Sequence, residues 1–154
     1  MNQELMLLKR KVYDACSELV SERITSLQQS LKGFQDAANE ETKSSAGDKY
    51  ETGRAMMHLE KEKVAHALNE VLKQQKVLGQ LIVSKAHDQA ALGALIITDS
   101  GNFYLSASLG KLKVDDTDVF CLSPVAPLGN AFLGKKKGDH VTFNKMSYTI
   151  ESIC

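Results

Sequence analysis

Apolar positions in the first half of the chain recur at steps of three and four residues. Over residues 4–38 this spacing places one apolar stripe along one face of a helix. The members of this stripe are Leu5, Leu8, Val12, Cys16, Val20, Ile24, Leu27, Leu31, Phe34 and Ala38. A second stripe consists of Met57, Val64, Leu68, Val71, Leu78 and Ile82. The pattern therefore predicts two helices of about 35 residues, each roughly 50 Å long at 1.5 Å per residue.

A helix with a single apolar stripe needs a second helix to cover it, and two arrangements satisfy this need. The small-residue break at 39–47 is short enough for the two helices to fold back on each other as an antiparallel hairpin. A parallel coiled coil between two chains is the alternative. Because the break interrupts the helical pattern, we predict the hairpin: residues 1–86 form an antiparallel coiled coil with its tip at about 39–47.

From residue 90 onward the hydrophobic period changes to two, which indicates strands. Five segments show it: 92–99, 102–108, 118–123, 139–144 and 147–153. The turns between them are predicted at Asp99-Ser100-Gly101, Gly110, Asp115-Asp116 and Asn144-Lys145. Between the third and fourth segments, Pro127 suits the start of a short helix and Gly134 suits its end. The predicted fold class is α+β, in which the helical hairpin is followed over residues 87–154 by a small antiparallel β-sheet with one short helix.

Composition and charge narrow the possible functions. Net charge is zero, so no overall basic field attracts nucleic acid. No apolar run approaches the roughly 18 residues that a membrane span needs, and the charged, amphipathic N-terminus is not typical of a signal peptide. Cys16, Cys121 and Cys154 lack metal-ligand spacing, which favours a reduced, cytoplasmic protein. Cys121 lies in an apolar strand and is expected in the core.

Two segments carry distinctive motifs, APLGNAFLGKKKGD at residues 126–139 and GDKYET at residues 47–52. They resemble motifs of the Gre family of bacterial transcription elongation factors. The family carries a sequence close to S-P-L-G-R-A-L-L-G-K-K-x-G-D, and residues 126–139 of this chain read APLGNAFLGKKKGD. At the hairpin tip the family carries G-D-L-K-E-N-A-E-Y, whereas residues 47–52 read GDKYET, in which only Gly47, Asp48 and Glu51 match. The resemblance covers nearly the whole chain in layout but is specific only over these two segments.

The resemblance implies a protein that acts on RNA polymerase. The coiled coil would enter the polymerase secondary channel, and Asp48 and Glu51 would help to hold Mg²⁺ at the polymerase's catalytic centre, where a backtracked transcript is cleaved. The C-terminal domain would resemble the FKBP fold and dock on the channel rim. The expected partner-binding residues are Pro127, Leu128, Gly129, Leu133, Gly134, Lys135 and Lys136.

Several further expectations follow from the same resemblance. The chain would have no cofactor of its own and would share the Mg²⁺ ion with RNA polymerase. It would not itself be an enzyme, since its sequence shows no nucleophile–base pair and no phosphate-binding loop. It would meet the nascent RNA only indirectly, would have no membrane partner, and is expected to be a monomer.

The tip residues have two interpretations that do not exclude each other. Carboxylates are common ligands of Mg²⁺, and the stretch 36–51 carries five acidic and two basic residues. Asp48 and Glu51 also fit a capping box, with Asp48 as N-cap and Glu51 at the third helical position. Either way, both carboxylates lie at the end of the hairpin.

Other functions remain as alternatives. The tip departs from the family at Lys49-Tyr50 and after Glu51, which leaves open a channel-binding modulator that does not stimulate cleavage. An FKBP-like prolyl isomerase with a helical dimerisation arm would need an aromatic-lined cleft. The candidates for it are Phe103, Tyr104, Phe120, Phe132, Phe143 and Tyr148, whose alternating positions favour a core instead. His58, Glu62 and His66 have helical metal-ligand spacing, but their charged neighbours favour a solvated face.

Overall fold

The fold has two long helices followed by a six-stranded sheet and a short helix, which confirms the predicted α+β class. The computed structural model describes the backbone of residues 2–41 and 47–154, and the side chains of residues 3–39 and 52–154. The helices are α1 (Asn2–Glu41), α2 (Gly47–Gly79) and α3 (Pro127–Phe132). The strands are β1 (Leu95–Thr98), β2 (Gly101–Leu105), β3 (Gly110–Val114), β4 (Thr117–Leu122), β5 (His140–Phe143) and β6 (Met146–Ile153).

The predicted apolar stripe of α1 is confirmed. Its central members are buried at every fourth position, namely Val12, Cys16, Val20 and Ile24. The stripe of α2 is confirmed at Val71 and Leu78, which are also buried, but it is wrong at its end. Because α2 stops at Gly79, Ile82 lies beyond the helix and is 66% exposed. In the parts of the chain that the structure describes, no helix combines the length and apolarity needed to cross a membrane.

The two long helices contact each other within one chain. Tyr13 Oη donates a hydrogen bond to the Leu78 carbonyl at 3.0 Å, and Lys61 Nζ donates one to Gln35 Oε1 at 3.3 Å. The residue later in α1 contacts the residue earlier in α2, which is the order of antiparallel helices. The intrachain hairpin is therefore confirmed, and residues 42–46 of its predicted tip lie outside the described residues.

The contacts divide the chain into two compact units. One unit comprises Met1–Glu18 and Gln74–Cys154, and the other comprises Leu19–Lys73. The first unit includes the sheet together with the adjoining ends of α1 and α2. The boundary predicted at residue 86 was based on a change in amino-acid composition along the chain. The two units are instead defined by contacts between residues in the fold.

The sheet is mixed, not antiparallel as predicted, and its strand order is β3-β4-β2-β1-β6-β5. Strands β2 and β4 run parallel, with Phe103 beside Phe120. This pairing arises because the chain leaves β2, forms β3 at the edge of the sheet and returns through a hairpin as β4. The sequence pattern predicted five strands and missed β3, because Lys111 and Lys113 interrupt the apolar signal of this strand.

Two tight turns agree with the sequence prediction. Asp115 and Asp116 join β3 to β4 with φ of 48° and 63°. Asn144 and Lys145 join β5 to β6 with φ of 49° and 66°. Two consecutive positive φ angles are the signature of the type I′ hairpin turn, whose twist matches that of the flanking strands.

Helices cover both faces of the sheet. On one face, α3 contributes Phe132 to a buried cluster whose other members are Ala90, Ile96, Phe103, Leu105, Val141, Tyr148 and Ile150. On the other face, the neighbouring strands β1, β2 and β4 align Leu95, Tyr104 and Cys121 side by side. Cys16 of α1 packs against this second face, so the first turns of α1 belong to the core of the sheet.

Candidate functional site

The tip carboxylates belong to the beginning of α2. The helix begins at Gly47, so Asp48 is its second residue and Glu51 its fifth. Positions three apart on a helix lie on the same face, with Cβ atoms about 5–6 Å apart. A capping box with Asp48 as N-cap would require a helix that begins after Asp48, later than the one observed. The side chains of both residues lie outside the described residues, and their role stays a prediction.

The predicted docking segment folds as a short helix with the expected ends. Pro127 occupies the first turn of α3, and Ala126, which precedes it, makes no side-chain capping bond. Gly134 follows the helix with φ of 79°, a conformation that favours glycine. Its N–H donates to the Ala90 carbonyl at 2.8 Å, and the Ala90 N–H donates to the Lys135 carbonyl at 2.8 Å. The end of α3 is therefore fixed by backbone hydrogen bonds.

Gly129 has a structural role within this segment. It is buried, and a Cβ atom at this position would lie only 2.1 Å from the carbonyl oxygen of Ser123. This close approach allows the chain before α3 to cross over the helix. Since Gly129 is buried, the structure does not place it on the surface where a partner could touch it.

The turn after α3 is closed by an aspartate. Asp139 Oδ2 accepts a hydrogen bond from the Lys136 N–H at 2.8 Å, and the Asp139 N–H donates to the Lys136 carbonyl at 2.9 Å. Gly138, with φ of 92°, allows the turn. Several residues of the motif thus have a purely structural explanation.

The other residues of the motif divide between core and surface. Leu128 is half-buried and packs against the core cluster. The exposed residues form a group that we call the α3 surface, which consists of Pro127, Leu133, Gly134, Lys135 and Lys136. Val125, just before α3, is 90% exposed and was not singled out in the sequence. Five of the seven predicted partner-binding residues are therefore accessible.

A buried lysine, missed in the sequence, joins α1 to the rest of the first unit. Lys9 is fully buried, and its Nζ donates to the Lys85 carbonyl at 2.6 Å and to the Cys154 carbonyl oxygen at 3.2 Å. Burial lowers the pKa of Lys9, while the charge of Cys154 raises it less. The spacing from Leu5 to Lys9 and from Lys9 to Val12 already places it on the apolar stripe.

His87 lies beside Lys9, with its Nδ1 3.4 Å from Lys9 Nζ. Burial lowers the pKa of His87, and the positive charges of Lys9 and Lys85 lower it further. A neutral His87 can accept a hydrogen bond through Nδ1, whereas a protonated one would place a second cation next to Lys9. The arrangement therefore stabilises neutral His87.

We expect His87 to make the chain less stable in mild acid. Because its pKa in the folded state is below its ordinary value of 6.5, the unfolded state binds more protons in the interval between them, and stability falls as pH falls through that interval. His87→Gln should reduce the loss of unfolding free energy between pH 7 and about pH 5, measured by urea denaturation. The exposed His66, replaced in the same way, is the control and should leave the loss unchanged. Equal losses in the His87 variant and the parent protein would contradict the expectation.

A small cavity of about 130 Å³ adjoins this group and is lined in part by Gln80, Lys85 and His87. The described residues that line it include no carboxylate and no thiol or hydroxyl side chain. Among the described residues, its lining therefore offers a histidine and a lysine but no carboxylate, thiol or hydroxyl nucleophile.

The aromatic residues of the sheet form a core, as their alternating positions indicated. The Phe103 ring lies 5.0 Å from that of Phe132, 5.4 Å from that of Tyr148 and 5.9 Å from that of Phe120. Phe103, Phe132 and Tyr148 are buried, while Phe120 is 39% exposed. These rings pack against each other and do not line an open cleft of the kind that a prolyl isomerase needs.

The suggested histidine site on α2 is solvated. His58 Nε2 pairs with Glu62 Oε1 at 3.1 Å, both side chains are more than 60% exposed, and His66 is also exposed. Among the residues that the structure describes, no group of three or more potential ligands could hold a metal ion.

The three cysteines are free, and all three are buried. Cys121 lies in the core as predicted, but its Sγ lies 3.3 Å from the Sγ of Cys16. Cys154 is elsewhere in the same unit, with its Sγ 2.9 Å from Met6 Sδ. No sequence pattern indicated the contact between Cys16 and Cys121, because these residues are far apart along the chain.

Similarity to known proteins is weak in sequence and limited in structure. No protein-family model matches the sequence, and no curated protein matches it. Among solved structures, the chain is similar to the transcription factor Gfh1, at 15% identity and a TM-score of 0.36, over 89% of this chain and 92% of that one. A likeness at this level carries no conclusion about function, which has to be inferred from the residues themselves.

Proposed function

We propose that this chain is an RNA polymerase-binding elongation factor of Gre type. Its helical tip enters the secondary channel, where it stimulates the polymerase's Mg²⁺-dependent cleavage of backtracked transcripts. The observation that carries the proposal is a hairpin of 40- and 33-residue helices in which Asp48 and Glu51 occupy the first turns of α2. A 40-residue helix is about 60 Å long, which gives two carboxylates the reach to act inside another protein.

The residue types at the tip suit the proposed chemistry. Asp48 and Glu51 lie three positions apart on α2 and supply oxygen ligands, which Mg²⁺ prefers. A Mg²⁺ ion in the polymerase site activates water for attack on a phosphodiester. The role of this chain is to orient that ion and its water through the two carboxylates.

The α3 surface is the proposed docking site. It presents Leu133, which is 38% exposed, next to the exposed side chains of Lys135 and Lys136. The backbone of this segment is fixed by its bonds to Ala90 and Asp139, so the two lysines are displayed from a rigid turn. Such a surface suits an acidic patch with an apolar centre on the polymerase.

Charge reversal on the α3 surface should weaken polymerase binding. Lys135→Glu together with Lys136→Glu should lower affinity about tenfold, equivalent to about 1.4 kcal/mol, because two attractive surface contacts become repulsive. The melting temperature should be unchanged, since both side chains are exposed. The matched control replaces Lys111 and Lys113 with Glu and should bind normally. Both residues lie on β3, a strand at the edge of the sheet. Equal binding by both double variants in a titration would remove this surface from the interface.

The experiment that tests the function uses the full chain and purified RNA polymerase. Binding is measured by pull-down, and transcript cleavage is measured on stalled elongation complexes. Binding with faster cleavage supports the proposal. Binding without faster cleavage would favour a channel-binding modulator, an alternative motivated by the tip's departure from the family at Lys49-Tyr50. No binding would overturn both.

A further inference from the structure

Two thiols meet where α1 packs on the sheet. Cys16 lies on α1 and Cys121 on β4, and neither is more than 1% exposed. Their sulfur atoms are 3.3 Å apart, although 105 positions separate them in sequence. A disulfide bond is about 2.0 Å long, so the sulfurs need to approach by only about 1.3 Å to form one. None of the roles proposed above uses this pair.

A buried tyrosine lies close to the pair. Tyr104 is aligned with Cys121 on the neighbouring strand and is fully buried. Its hydroxyl has no hydrogen-bond partner in the described structure, and the same is true of the Ser106 hydroxyl two positions further along the chain. Burial and then the nearby cysteines raise the pKa of Tyr104, so this hydroxyl keeps its proton and can donate it. Buried hydroxyls without partners are unusual and invite a functional explanation.

The two thiols are not equivalent. The hydrogen bond between the two sulfurs lowers the pKa of Cys16, and burial partly opposes this by raising it. The same bond and burial both raise the pKa of Cys121. These directions favour Cys16 as the sulfur that reacts first with peroxide. Two thiols in contact are the arrangement that disulfide formation requires.

We propose that Cys16 and Cys121 form a reversible disulfide under peroxide stress, which fastens α1 covalently to the sheet. In the first step, the Cys16 thiolate attacks one oxygen of hydrogen peroxide. The O–O bond breaks, the departing hydroxide takes a proton to become water, and Cys16 becomes a sulfenic acid. The Cys121 sulfur then attacks the Cys16 sulfur, and the S–O bond breaks. The hydroxide leaves as water with the Cys121 proton, so two thiols and one peroxide yield one disulfide and two water molecules.

Burial sets the conditions of this reaction. Since α1 covers both sulfurs, peroxide reaches them when the first turns of α1 separate transiently from the sheet. The reaction in the folded protein is therefore slower than that of an exposed thiol. Once formed, the bond closes a loop of about 105 residues and favours the folded state by restricting the unfolded chain.

The test treats the full-length chain with hydrogen peroxide and follows it by intact mass, non-reducing peptide mapping and thermal denaturation. We expect a loss of two hydrogens, a peptide pair joining Cys16 to Cys121, and a melting temperature higher by about 5–15 °C that returns to its original value after reduction. Cys154→Ser is the matched control and should behave like the parent protein.

Single-cysteine variants test whether Cys16 and Cys121 are the two residues that form the disulfide. Cys16→Ala and Cys121→Ala should each lose the crosslink and the reversible rise in melting temperature, because either change removes one of the two sulfurs. If either variant fails to fold, the peptide map of the parent protein still shows which sulfurs are joined. A bond through Cys154, irreversible oxidation without a crosslink, or three unreacted thiols would each overturn the proposal.

Discussion

Replacing Asp48 with Asn should abolish cleavage stimulation while leaving polymerase binding and thermal stability nearly unchanged. Asn substitutes well for Asp at the beginning of a helix, because its side-chain oxygen also accepts hydrogen bonds from free backbone N–H groups. It carries no charge, however, and is a weaker ligand of Mg²⁺ than a carboxylate. The melting temperature should fall by no more than a few degrees, as for a change below about 1 kcal/mol.

Glu51→Gln extends this test, since Gln has nearly the same size and helix propensity as Glu but lacks its negative charge. The control is Asp36→Asn, which removes the same charge from the same acidic stretch near the end of α1 and should keep full stimulation. Transcript cleavage on stalled complexes gives the readout, and binding is measured in parallel. If both variants still stimulate cleavage, Asp48 and Glu51 only stabilise the beginning of α2.

The second large effect is expected from Gly129→Ala, which should destabilise the first unit by about 3 kcal/mol or more. The added Cβ would lie 2.1 Å from the Ser123 carbonyl oxygen, and neither backbone segment can move without disturbing α3. A loss of this size lowers the melting temperature by on the order of 10 °C in a chain of this length.

Gly33→Ala provides the matched control for Gly129→Ala. Gly33 lies within α1, and a Cβ there would meet nothing within 4 Å. Since alanine favours a helix over glycine, this change should stabilise the protein by about 0.5–1 kcal/mol. Opposite shifts of the two melting temperatures are the expected result, and a similar small shift in both would refute the steric argument.

Features with a local cause could be predicted from the sequence. The stripe from Val12 to Ile24 predicted a buried face because helical spacing alone decides which residues share a face. Pro127 and Gly134 marked the ends of α3 for an equally local reason, since each favours one backbone conformation. The turn at Asn144-Lys145 could also be predicted, because it depends only on residues next to each other in the sequence.

Features that depend on distant parts of the chain could not be predicted. The parallel pairing of β2 with β4 has no local signature, and β3 was missed because an edge strand with alternating lysines is only weakly apolar. The burial of Lys9 was missed, since the acceptors that make it possible are the distant carbonyl groups of Lys85 and Cys154. At the candidate site, the sequence could identify the residues of the α3 surface but not that Gly129 is buried.

The way α1 is shared between the two compact units has a consequence for the order of folding. Contacts within Leu19–Lys73 join residues that are close in sequence. Cys16, in contrast, cannot pack against Cys121 until the chain has been synthesised 105 positions further. At 5–20 residues per second, the ribosome needs about 5–20 s to supply that partner. Contacts between residues so distant in sequence also slow folding in general. The hairpin can therefore assemble during synthesis while the apolar face at Val12 and Cys16 remains uncovered, and this face would be open to a chaperone until the sheet has formed.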